Sequence, residues 1–189
     1  MARIGLKGLT YAKVNGGGSG SPVTYTGGKA VPDLLVKADV KYDRDSAKQY
    51  ADNRAVESAN GVSGGTIDME TASLPDDQIT DLIGYALENG ALVITDDEAP
   101  YMGVGYITCE IMGGKKSFKG YWYYKVQFSL NEDSAETKGQ STSFQNSNIS
   151  GDILGVVQSE AGKVDYGRTK TEATEAAVRA WLNGLAGIN

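Results

Sequence analysis

Chemistry needs groups that take a proton, attack a carbon or hold a metal, and this sequence is poor in them. It contains no histidine. That removes the commonest general base and the commonest transition-metal ligand, and with them the serine–histidine and cysteine–histidine arrangements. The single cysteine, Cys109, lies in an alternating apolar stretch and reads as a small buried hydrophobe rather than a nucleophile; alone it closes no internal disulfide. The densest acidic run, Asp96-Asp97-Glu98, has the oxygen chemistry for a hard cation such as Ca2+. It follows Val93-Ile94-Thr95, however, where a polar turn is expected in any case. Asp76 and Asp77 follow Pro75 at the head of an apolar helical stripe and complement the positive end of a helix dipole. The run from Asn15 to Pro22 resembles a phosphate loop only in its glycines, because it lacks the Gly-Lys-Ser/Thr ending and no strong helix follows it. Lys119 and Lys125 interleave with Tyr121 and Tyr123, a pattern able to stack single-stranded nucleic acid, but the acidic balance of the chain opposes that use. No acidic pair has a convincing catalytic partner. The expectation is a protein that is not an enzyme, with no cofactor and no metal.

The positioning elements must come from 189 residues, enough for one domain with a sizeable core. The net charge is −6, unlike a duplex-binding protein with its basic patch. The distribution is uneven. Residues 1–42 hold six Lys/Arg and two Asp, residues 43–110 hold three and fourteen, residues 111–130 hold four Lys and no acid, and residues 131–189 hold five and eight. A basic N-terminal segment and an acidic middle could attract one another between subunits. No apolar run approaches the ~20 residues that cross a bilayer, and the N-terminus lacks the apolar stretch of a secretory signal. The chain is expected to be made and kept in the cytoplasm, with no membrane insertion.

Periodicity gives a coarse plan. Residues 4–14 read as a strand, 15–22 as a flexible loop, and 23–26 and 34–42 as strands, the latter alternating Leu34, Val36, Ala38, Val40 and Tyr42 against Lys37, Asp39 and Lys41. Residues 43–53 read as an extended loop or protruding arm. Residues 54–60 and 65–71 suggest a hairpin across Gly61–Gly64, with Glu57, Asp68 and Glu70 on its polar face. Ile79, Leu82, Ile83, Ala86 and Leu87 share one stripe of a helix over 75–88, stopped by Asn89-Gly90. Residues 101–112 and 118–130 make the strongest hairpin. In it Phe118, Trp122, Tyr124, Val126, Phe128 and Leu130 face the core, and Tyr121, Tyr123 and Lys125 face a subunit interface or sheet edge. Residues 139–146 and 151–158 suggest a polar hairpin across Ser147–Ser150. Residues 171–182 read as a second helix, with Thr169 and Glu172 at capping-box spacing. Strands that do not alternate regularly with two helices indicate α+β, with a mainly antiparallel sandwich or barrel core and a central and a C-terminal flanking helix.

Tyr124-Lys125-Val126-Gln127-Phe128, Thr137-Lys138-Gly139-Gln140-Ser141, Phe144-Gln145 and Ile149-Ser150-Gly151 together resemble the major tail proteins of long-tailed phages of Gram-positive bacteria. The opening Ile4-Gly5-Leu6-Lys7-Gly8-Leu9-Thr10-Tyr11-Ala12-Lys13 resembles the start of that family, and the polar arm before Arg54 and the helix after Pro75 follow in order. Gly16–Ser21 and Ser159–Arg168 depart from the pattern. The resemblance implies a single tail-tube domain over 1–189, with an arm at about 43–54. It implies hexameric rings stacked into a tube that conducts double-stranded DNA without binding it. It also implies a place in the virion tail and contacts with tape measure, tail terminator and distal tail proteins. Four strands from each of six subunits, at ~4.8 Å spacing and ~45° tilt, would enclose a bore of about 40 Å, wide enough for a duplex. Carboxylates would keep that bore from gripping phosphates, and Glu57, Asp68 and Glu70 are the candidates to line it. Asp43, Arg44, Asp45, Lys48, Tyr50 and Arg54 are the candidates to bridge subunits. Two other readings stand beside this one. One is the inner tube of a contractile tail, phage-like bacteriocin or secretion device. The other is a carbohydrate- or cell-surface-binding domain that does not assemble, using Tyr121 and Tyr123.

Overall fold

The computed structural model describes residues 2–32, 34–51, 54–112, 114–132, 146–158 and 162–188. The chain begins with β1 (Ala2–Gly16), β2 (Thr24–Val31), β3 (Leu35–Ala51) and β4 (Arg54–Thr71). Helix α1 (Asp76–Ile83) follows, then the short strands β5 (Ala86–Glu88) and β6 (Ala91–Val93). The long strands β7 (Tyr101–Met112) and β8 (Lys115–Glu132) form the central hairpin. After them come β9 (Ser147–Ile153), β10 (Val156–Val157), β11 (Val164–Asp165), β12 (Gly167–Glu172) and helix α2 (Glu175–Ala186). The main sheet runs β2-β1-β7-β8-β9-β4-β3, with β12 also on β8, and its pairings are antiparallel. The expected α+β class, mainly antiparallel with two helices, is the class observed.

β8 organises this sheet. One of its edges pairs with β7; the other holds β12 along Phe118–Tyr123 and β9 along Val126–Glu132. The switch falls at a bulge. Met102 faces Val126 and Val104 faces Tyr123, so β8 takes three steps where β7 takes two. An extra residue reverses the alternation of side chains. Tyr121 and Tyr123 before the bulge therefore share a cluster with Val126 and Phe128 after it, and Trp122 and Tyr124 join the other face. The expected single face from Phe118 to Leu130 is broken at this point.

The sheet curls until β3 comes back beside β1. It encloses Leu9, Tyr11, Ile67, Met69, Val126 and Phe128, and Leu82 and Ile83 of α1 close over them. On the opposite face α2 lays Val178, Leu182 and Ala186 on Ile107, Trp122 and Tyr124. Two glycines allow that approach. A Cβ on Gly120 would lie 2.6 Å from Val178 Cγ1, and one on Gly105 2.8 Å from Leu182 Cδ2.

Several local expectations need correction. α1 stops at Gly84, which takes the left-handed conformation (φ 91°) and donates its N–H to Thr80 O. Asn89 and Gly90 also have positive φ (51° and 82°), and they turn β5 into β6, the use that suits Asn-Gly in tight hairpins. α2 starts one turn later than its capping-box spacing suggests. Thr174 Oγ1 accepts from the Ala177 N–H at 3.3 Å, while Thr169 and Glu172 belong to β12. The helix passes through Asn183-Gly184 to Gly187. β4 runs unbroken through Gly61–Gly64 because β3 pairs with it on both sides. Ser147–Ser150 is strand in β9, wedged between β4 and β8 rather than turning a hairpin; residues 139–145 of that expected hairpin lie outside the described residues. The glycine loop is tied down. Gly20 N–H donates to Val157 O, and Val157 N–H donates to Gly18 O.

Candidate assembly surfaces

The arm residues Asp43, Arg44, Asp45, Lys48, Tyr50 and Arg54 lie in paired strand, which corrects the loop expectation. β3 and β4 pair from Leu35↔Thr71 out to Ala51↔Arg54, whereas β9 accompanies β4 only over Gly65–Thr71. Beyond Gly65 the two strands continue as a ribbon. Eight residues from Arg44 to Ala51, at ~3.4 Å each, give it roughly 27 Å of length. Residues 43–64 include Tyr50, Val56 and Val62 as their only large apolar side chains, too few for a core, and a two-stranded ribbon alone in water is marginal. The side chains of Lys48, Tyr50 and Arg54 lie outside the described residues. At the base of the ribbon Tyr42 and Val62 are exposed.

The sheet ends in two edges. β2 and β3 are its terminal strands, so among the described residues each offers one row of backbone N–H and C=O groups without a strand neighbour. β1 adds a third stretch, since β7 pairs with it from Ala2 while β2 joins only at Leu9. This stretch of β1 lies beside β3 across a depression without pairing, and unpaired strand edges are templates for another chain.

The candidate bore residues Asp68 and Glu70 alternate with buried Ile67 and Met69 and so point away from the core. They line a shallow depression with Lys37, Asp39, Asn148 and Ser150. Ser150 Oγ donates to Asp68 Oδ1 at 2.5 Å, and Lys41 Nζ reaches Oδ2 at 3.4 Å. The Ser150 hydrogen bond is the main cause, with Lys41 assisting against slight desolvation, that holds the Asp68 carboxyl below its ordinary pKa. Asn146 Nδ2 donates to Glu70 Oε1 at 2.6 Å, and Lys37 pairs with Asp39 at 2.5 Å. The face is therefore a network in which Lys37 and Lys41 interleave with Asp39, Asp68 and Glu70, not a plain row of carboxylates. Glu57 stands opposite Gln49 on the ribbon, and its side chain lies outside the described residues.

Tyr121 and Tyr123 do not form a free face, and this corrects the interface expectation. They are 7% and 4% exposed. Tyr106 stacks on Tyr121 with ring centroids 5.1 Å apart, Arg3 Nη2 donates to the Tyr121 hydroxyl at 2.8 Å, and the Tyr42 and Tyr123 hydroxyls meet at 3.2 Å. Burial pushes the Tyr106 hydroxyl up to about 12 and that of Tyr123 higher still. Alternation alone cannot reveal that a curled sheet covers both faces of one strand. Lys125 is partly buried, its Nζ 3.8 Å from the centre of the Tyr101 ring, a cation–π contact. Cys109 is buried and free, as its surroundings suggest.

Among the described residues no three metal-ligating side chains come together, and no helix is long and apolar enough to cross a membrane. The run Asp96-Asp97-Glu98 is exposed coil before β7. Asp97 and Glu98 border a depression with Tyr11, Lys13 and Asp81, and Asp81 is itself engaged by the Tyr11 hydroxyl at 3.0 Å and Lys29 at 2.5 Å. No family model matches the chain, and no curated protein matches it either.

Sequence reasoning missed β12, the strand that covers the second edge of β8. Its signal is slight: Thr169 and Thr171 are β-branched, but the residues between and around them are charged and mark no apolar period. Arg168 then hydrogen-bonds the Tyr124 hydroxyl, with its guanidinium 5.0 Å from the ring centre.

Proposed function

We propose that this chain is a structural subunit of a phage tail tube, self-assembling into stacked sixfold rings that conduct double-stranded DNA. The observation that carries the reading is a sheet that, among the described residues, is left open at β2 and at β3 and is extended by a ribbon whose sequence offers few apolar side chains for a core. Both features are completed by more copies of the same chain. Edge-to-edge pairing joins the sheets of neighbours into a closed wall, and the ribbon, with Asp43, Arg44 and Asp45 on it, reaches an adjacent subunit or ring. Asp68 and Glu70, with Glu57, face the bore in this reading. Around Asp68 and Glu70, Lys37 and Lys41 are already paired with Asp39 and Asp68 and so are less free to grip phosphates. The tape measure, tail terminator and distal tail proteins are the further partners of such a tube, and the virion tail is its location.

The inner tube of a contractile tail uses the same surfaces. The alternative of a glycan-binding face loses its motive, because Tyr121 and Tyr123 are core residues. Sedimentation velocity at rising concentration tests assembly. The expected result is a 20.0 kDa monomer giving way to very large species; a monomer that persists at millimolar concentration overturns the proposal.

A further inference from the structure

The two ends of the β1–β7 ladder differ in charge, and both carry exposed apolar side chains. The ladder runs from Ala2↔Ile111 to Lys13↔Met102, so its ends are roughly 35 Å apart at ~3.3 Å per residue. At the first end β1 begins and β7 turns into β8. Ile4 is 55% exposed there, and Lys115 and Lys116, both exposed, face Met112 and Ile111 across the turn. Neither lysine has an ion pair among the described residues. At the second end the chain enters β7 through Ile94, 76% exposed, and the exposed acids Asp96, Asp97 and Glu98. These acids likewise have no ion pair among the described residues, and they outnumber Lys13, the exposed cation that borders the same depression as Asp97 and Glu98. α1 and its acidic first turn, Asp76 and Asp77, stand at this same end, close enough for Asp77 to act on Tyr11.

We propose that these ends are the two halves of one head-to-tail contact, in which the Ile94–Glu98 segment of one copy docks on the Ile4, Lys115 and Lys116 end of the next. The occupant is a second copy of this chain because the apolar and charged groups at one end are matched in kind and opposite in sign by those at the other. Identical ends could not pair in this way, since a twofold contact would set lysine against lysine or acid against acid. A contact between unlike ends propagates head to tail, closing into a ring or running on as an open stack according to its rotation, and ends at opposite extremes of one ladder suit the stack. This inference rests on the assembly reading above and names the surface that stacks the subunits.

Charge reversal tests it. One variant carries Lys115→Glu and Lys116→Glu; the other carries Asp96→Lys, Asp97→Lys and Glu98→Lys. All five side chains are exposed, and circular dichroism of each variant checks that it folds. Each alone should elongate at least ~10-fold more slowly than the wild type at low salt, because steering becomes repulsion. Mixed in equal amounts they should recover long assemblies, with every junction again pairing acid against base. The neutral pair Lys115→Gln, Lys116→Gln should slow elongation less and flatten its dependence on salt. Either reversed variant assembling alone like the wild type, or a mixture no better than its components, overturns the contact while leaving self-assembly standing. A wild type that never assembles overturns both.

Discussion

Gly120 illustrates how single residues decide this fold. It sits in β8 directly beneath α2, where any side chain would run into Val178 and Trp181. Gly120→Ala should destabilise the chain by about 1–3 kcal/mol through overpacking, read as a lower urea midpoint with an unchanged slope. The tyrosines give a second residue-scale test. Of 11 in the chain, burial raises Tyr25 and Tyr106 to about 12, and Tyr11 and Tyr123 further. In the unfolded chain these hydroxyls ionise near 10, so above that pH the unfolded state holds fewer protons than the folded one. Their contribution to stability is complete below pH 10 and is lost as pH rises through the folded values. Absorbance at 295 nm should accordingly show these four tyrosines ionising late, together with unfolding near pH 12. One smooth transition centred at pH 10 in the folded protein would contradict the burial described.

At the scale of elements, the β3–β4 ribbon is the part whose removal is most informative. Asp43 and Gly64 are paired, so joining them through a two-residue Asn-Gly turn excises residues 44–63 without touching the sheet that packs on the core. The shortened chain should keep its thermal midpoint within a few degrees and lose the ability to polymerise; tubes formed by it would contradict the bridging role. The same ribbon marks the limit of what sequence patterns reveal. β7, β8 and the start of α1 were legible because apolar and aromatic side chains there repeat with an unbroken period. The ribbon is not, because residues 43–64 carry too few apolar side chains to mark a period, and Gly61–Gly64 imitates a turn. The Tyr123–Val126 bulge was hidden for a different reason: a one-residue change of phase leaves both halves of β8 looking regular. The end of α1 was misplaced because Ala86 and Leu87 continue the helical stripe while Gly84 has already stopped the helix. Thr174 was overlooked as a cap because Thr169 and Glu172 offered a better-spaced pair that tertiary pairing with β8 claimed first. The candidate site fared similarly. Asp68 and Glu70 lie opposite the core, since Ile67 and Met69 fix their parity, but their partners, Lys41 on β3, Ser150 on β9 and Asn146 just before β9, cannot be seen from spacing within β4.

At the scale of the whole molecule, β2 and β3 have no second strand neighbour among the described residues, β3 and β4 extend past β9 as a ribbon, and the lysines of the β7–β8 turn lie at the opposite end of the β1–β7 ladder from the acids that precede β7. If Asp68 and Glu70 keep a bore from gripping DNA, then Asp68→Asn with Glu70→Gln leaves Lys37 and Lys41 less opposed. Tubes should still form, while DNA release from particles carrying the variant slows by several-fold and regains speed in high salt. Unchanged release kinetics would remove these residues from the bore. The most direct measurement of the central claim is negative-stain electron microscopy of the concentrated wild-type protein. The account predicts hollow rods with a bore of about 40 Å. A field of separate 20.0 kDa particles, with no rings or rods at any concentration, would contradict it.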